Sequence, residues 1–72
     1  MATATDRAER ATILEQFGRF VTYPQAAELT SASVRTLKRL TASGELPAYA
    51  IGRTRTLRLR TEDVLNLVRR VA

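Results

Sequence analysis

TYPQAAELTSASVRTLKRLTASG, residues 22–44, holds two helix starts and two helix stops in one short run. Thr22 followed by Gln25 has the capping-box spacing, in which each side chain satisfies a backbone N–H that the first turn leaves unpaired. Pro24 fits there, because a first-turn residue has no intrahelical N–H bond to lose. Ala26, Ala27 and Leu29 then supply a short apolar face, which predicts a helix of about two turns ending at Thr30, Ser31 and Ala32. Ser33 is a good N-cap for a second helix, whose Leu37 and Leu40 face inward at a three-residue spacing. Gly44 stands just past its end, where a left-handed cap favours glycine.

Two short helices joined by a turn of three or four residues form the helix-turn-helix pattern. The charges agree with it. Arg35, Lys38 and Arg39 lie off the Leu37/Leu40 stripe and, with Val34 and Thr36, predict an exposed face. No acid occurs between Glu28 and Glu45. Taken alone, such a face reads equally well as solvated surface. The turn upstream and a basic segment downstream favour contact with base edges or phosphates.

That basic segment is IGRTRTLRLR, residues 51–60, with Arg53, Arg55, Arg58 and Arg60 and no acid. Pro47 excludes helix just before it, and Tyr49 and Ile51 share one side of a strand. Leu57 and Leu59 share a face, with Arg58 and Arg60 opposite. One straight strand would place Arg53 and Arg55 on the leucine side. A turn around residues 52–56 resets the register and predicts a β-hairpin with Arg53 and Arg55 at its tip. Arg58 and Arg60 then lie on its solvent face, where pairing with Glu62 or Asp63 competes with a nucleic-acid role. Arg53 and Arg55 also have a plainer reading as guards of an exposed strand edge.

Outward from this centre, Thr61 reads as the cap of a last helix, with Glu62 and Asp63 in the dipole-favoured first turn. Val64, Leu65, Leu67, Val68 and Val71 are its expected buried side, and Arg69 and Arg70 balance its C-terminal dipole. Toward the N-terminus, a helix is expected from Asp6 to Phe17 with Thr5 as its cap. Phe20 and Val21 follow Gly18, and pack either onto the domain or onto a second copy. The division is therefore a helical extension, 1–21, and a binding domain, 22–72.

The chain has 72 residues and a net charge of +5. Such a length buries only about 60% of the unfolded surface, so one small core is expected. The ends are neutral: Arg7, Arg10 and Arg19 offset Asp6, Glu9 and Glu15, while Arg69 and Arg70 offset Glu62 and Asp63. All the excess sits in the middle, where a focused patch attracts a polyanion. Neither cysteine nor histidine occurs, which removes disulfides, thiolate chemistry and the commonest general base and zinc ligand. Ser33 and Thr36 therefore read as capping residues, not nucleophiles. No enzyme activity, cofactor or metal is expected. No apolar run approaches the roughly 18 residues of a membrane span, and the acidic start does not resemble a signal peptide. A cytoplasmic, nucleoid-associated binding module is the expected class.

QAAEL (25–29), SVRTLKRL (33–40), SGELPAYAIGR (43–53) and TEDVLNLV (61–68) resemble the excisionase-type, MerR-like winged helix-turn-helix family. The SGELPAYAIGR run is the most specific part. Small actinobacteriophage (mycobacteriophage-type) excisionases are the most similar in length and in carrying an extra N-terminal helix. The resemblance implies a mostly helical α+β fold, a small winged helix-turn-helix with an N-terminal helical extension. It implies double-stranded DNA at attachment-site repeats as the target, with a phage integrase and further copies of the chain as partners. Carried onto this sequence, the DNA-binding residues are Val34, Arg35, Thr36, Lys38 and Arg39 on the second helix, with Arg53, Arg55 and Arg58 in the hairpin. Two departures stand out: Ser31 replaces the glycine usual in the turn, and the hairpin is slightly longer than in many relatives. A left-handed serine is strained, so a wider or differently hydrogen-bonded turn is expected. A small transcriptional regulator of the same fold is the alternative role. An interaction module docking a partner through Ile13, Leu14 and Phe17 is a third.

Overall fold

A computed structural model describes residues 4–68. Four helices and three short strands follow one another: α1 (Ala4–Phe17), β1 (Phe20–Val21), α2 (Tyr23–Thr30), α3 (Val34–Ala42), β2 (Tyr49–Ala50), β3 (Leu57–Arg60) and α4 (Thr61–Leu67). The strands form one antiparallel sheet in the order β1-β3-β2. This is a small α+β winged helix-turn-helix.

Six buried residues make the core: Val21, Ala26, Leu37, Leu46, Leu59 and Val64. One comes from each of β1, α2, α3, the α3–β2 link, β3 and α4, so none of these can leave without opening it. Full burial of such a leucine stabilises the fold by roughly 1.5–3 kcal/mol. Phe17, Tyr23, Ala27, Leu29, Leu40 and Leu67 pack around this centre.

The link from α3 to β2 is set by a double-bonded helix end. Gly44 takes φ 84, a backbone shape that favours glycine. Its N–H donates to Thr41 O at 3.2 Å, and the Glu45 N–H donates to Leu40 O at 3.0 Å. These two bonds are the Schellman pattern. They turn the chain so that Leu46 drops into the core.

Several expectations are corrected. Thr5 is not an N-cap, because α1 begins at Ala4; nothing in the first turn breaks the helix there. Phe20 and Val21 form a strand that was not expected, pairing with Arg60 and Leu59. Two residues are too few to show a period of two, and pairing with β3 forms the strand. Thr61 is not the cap of α4; Arg60 holds that position and makes no side-chain cap bond. The Thr61 side chain is fully buried instead, donating its hydroxyl to Gly18 O at 2.6 Å. Its N–H donates to Arg19 O at 2.8 Å. A buried hydroxyl needs a partner, and the unpaired carbonyl at the end of α1 supplies one. Val68 is 61% exposed, because α4 stops at Leu67 and Val68 takes an extended backbone. Leu57 shares a face with Leu59 but is 45% exposed, since the hairpin runs past the edge of the core. Arg69, Arg70 and Val71, expected on the last helix, lie outside the described residues.

Candidate nucleic-acid interface

The turn between α2 and α3 is three residues, Ser31, Ala32 and Ser33. At the start of α2 the capping box forms as expected: the Thr22 N–H donates to Gln25 Oε1 at 2.9 Å, and the Gln25 N–H donates to Thr22 Oγ1 at 3.2 Å. Ser31 does adopt the left-handed region, at φ 58 and ψ 19. The turn is not widened. Thr30 closes it, donating its hydroxyl to Ala26 O at 2.8 Å and accepting from the Ala32 N–H at 3.2 Å. This extra bridge offsets part of the roughly 1 kcal/mol or more that a left-handed serine costs.

Ser33 caps α3, accepting from the Thr36 N–H at 3.1 Å. Behind that cap Leu37 is buried and Leu40 half-buried, while Arg35, Thr36, Lys38 and Arg39 are exposed and Val34 is partly so. Thr36 is less free than the sequence implies, since its hydroxyl lies 2.9 Å from Ser33 Oγ. Lys38 has an aromatic neighbour that the sequence did not reveal: its ammonium stands 5.7 Å above the centre of the Tyr23 ring. The Tyr23 hydroxyl lies 3.0 Å from Thr41 Oγ1, which itself donates to Lys38 O at 2.9 Å. With the threonine hydrogen so used, Tyr23 is the donor between them. One residue thus ties α2 to α3 and sets the direction of a cation on the exposed face.

Arg53 and Arg55 lie exposed in the loop between β2 and β3, closed by an Ile51 N–H donating to Thr56 O at 3.1 Å. The turn expected around residues 52–56 is there. Arg58 and Arg60 point to the outer side of the sheet, opposite the buried Leu59. The Arg58 guanidinium donates to Leu57 O at 2.9 Å. Arg60 meets Glu62 at 3.5 Å with both side chains about half exposed, a pair that contributes little. No other ion pair occurs among the described residues, so Arg35, Lys38, Arg39, Arg53 and Arg55 face solvent without an acid beside them.

The family model of the helix-turn-helix domain matches residues 20–71. The chain belongs to this family. No curated protein and no solved structure matches it. The match begins at β1, the strand the sequence pattern did not show, and it spans the whole sheet, both helices of the motif and α4. As a helix-turn-helix DNA-binding domain, the protein carries Arg35, Lys38 and Arg39 on the second helix of the motif and Arg53 and Arg55 on the wing, none paired with an acid among the described residues. Among the described residues no helix is long and apolar enough to cross a membrane.

Proposed function

We propose that this helix-turn-helix domain reads duplex DNA sequence-specifically and works as an excisionase, bending attachment-site DNA so that a phage integrase is steered toward excision. The carrying observation is the outer face of α3, where Arg35, Lys38 and Arg39 stand exposed with no acid paired to them among the described residues. Like charges so close repel one another unless a polyanion lies between them. In this reading the N-terminal part of α3 enters the major groove. Arg35 and Lys38 reach base edges, Val34 meets a thymine methyl, and Thr36 and Arg39 lie against phosphates. Arg53 and Arg55 follow the adjacent minor groove, which attracts arginine where it is narrow and A·T-rich. Arg58 serves the backbone beside the wing.

Support for excision over other uses comes from the SGELPAYAIGR run leading into a basic wing. Bending a 20–30 base-pair site by 40–90° costs on the order of 1–6 kcal/mol. One small footprint does not readily offset that, so several copies bind side by side and touch one another, with the N-terminal helix available for the contact. The test is recombination run in both directions on matched substrates, with and without the protein, beside a gel shift on attachment-site DNA. Laddered shifts, a bent fragment, stimulated excision and inhibited integration are expected. Unchanged recombination together with repression of a nearby promoter would make the protein a transcriptional regulator.

A further inference from the structure

The outer side of the sheet carries a second surface, of which the DNA-binding reading uses only Arg58. Register places Phe20 opposite Arg60 and Tyr49 opposite Arg58, so all four side chains rise on the side away from Val21 and Leu59. The rings of Phe20 and Tyr49 meet edge to face, with centroids 5.9 Å apart, yet each remains close to 40% exposed. Leu14 of α1 stands beside them. Together they line an open cleft of about 700 Å³, rimmed by Arg19, Arg60 and Glu62. The inner face of the sheet and the buried side of α3 meet in one core. The cleft and the exposed face of α3 are therefore separate surfaces, each turned away from that core.

We infer that this cleft docks a short segment of a partner protein, acidic and bearing apolar side chains, while α3 is on DNA. Charge selects the class of occupant. Arg19 has no acid paired with it among the described residues, and Arg60 has only the loose contact to Glu62. A carboxylate entering the cleft meets an arginine on its rim, and Arg binds carboxylate in a fixed fork. Apolar contact selects it further. Phosphates would satisfy the arginines but leave Leu14, Phe20 and Tyr49 wet, whereas a leucine or phenylalanine covers them. A second copy placed face to face is disfavoured, because the two rims would bring four arginines together against only two glutamates, Glu62 of each copy. Within the excision reading, on which this rests for the DNA bound beside it, the segment belongs to the recombinase.

The probe is a fluorescein-labelled peptide alternating glutamate with leucine and phenylalanine, read by polarisation. A peptide with lysine in place of glutamate, and another with serine in place of the apolar residues, serve as controls. The full chain is expected to bind the first and neither control. Arg19→Glu and Tyr49→Ala are each expected to weaken binding at least tenfold, with unchanged circular dichroism. Arg19 contributes to the fold through its carbonyl, not its side chain, so the charge reversal keeps the test open should Tyr49→Ala unfold. Affinity of both variants for duplex DNA should stay within twofold of wild type, and the peptide should not displace DNA. Equal peptide binding by wild type and Arg19→Glu would overturn the proposal, as would no binding by wild type. Loss of duplex affinity in Arg19→Glu would assign the cleft to DNA and overturn it also. Failure of the wild-type protein to shift DNA would instead sink the excision reading and leave the peptide result standing.

Discussion

Ser31 and Thr61 show how single residues carry this fold. Ser31 takes the left-handed region at φ 58, where a glycine has no Cβ to strain. Ser31→Gly should raise stability by about 0.5–1 kcal/mol, the relief of strain being partly offset by the freer unfolded chain. A urea titration reads this as a higher midpoint at constant slope, and an unchanged midpoint would mean that the Thr30 bridge already removes the strain. Thr61 acts at a greater distance. Its buried hydroxyl bonds a carbonyl 43 residues earlier in the chain. Thr61→Val keeps the shape and strands the Gly18 carbonyl, so a loss of about 1–3 kcal/mol is expected in the same titration. Stability within experimental error of wild type would show that solvent reaches that carbonyl.

At the scale of elements, the proposed interface divides the work, with α3 reading and the wing holding. A base-edge contact discriminates sequences, whereas a phosphate contact strengthens all of them alike. Arg35→Ala and Lys38→Ala should therefore lower the preference for specific over random duplex by about 1–3 kcal/mol. Arg53→Ala should weaken both duplexes more evenly, unless it reads groove width. Competition gel shifts with specific and random fragments separate the two cases. Wild-type affinity in all three variants would remove α3 and the hairpin from the interface while leaving the fold intact. Lys38 carries an added condition, since its ammonium lies over Tyr23. Reaching a base edge means leaving that ring, a contact of about 0.5–1 kcal/mol at an exposed site.

For the whole molecule the decisive quantity is charge. If Arg53, Arg55 and the cations of α3 together neutralise roughly four to six phosphates, log K should fall with log salt at a slope of about −4 to −5. Fluorescence anisotropy on one duplex across a salt series measures it. A slope near zero would take the arginines off the backbone. The net charge of +5 enters through its placement, since both ends of the chain are neutral and the excess lies between them.

Local chemistry by itself determined both helices of the motif: the Thr22–Gln25 box, the Ser33 cap and the Gly44 end act within a few residues, and each forms as its spacing predicts. The hairpin was legible for a related reason, because the clash between the Arg53/Arg55 parity and the leucine parity demanded a turn. Only the tertiary structure decided the rest. A two-residue strand has no pattern of its own, and β1 exists because β3 offers it partners. Thr61 looked like a cap because threonine caps well, but the nearby end of α1 offered its buried hydroxyl a carbonyl, and satisfying that hydroxyl outweighed the local preference. Tyr23 beneath Lys38, and the Phe20–Tyr49 cleft, join residues 15 and 29 apart by sequence number. Contacts at that separation arise from the path of the chain around its core, and no spacing within a single element encodes them.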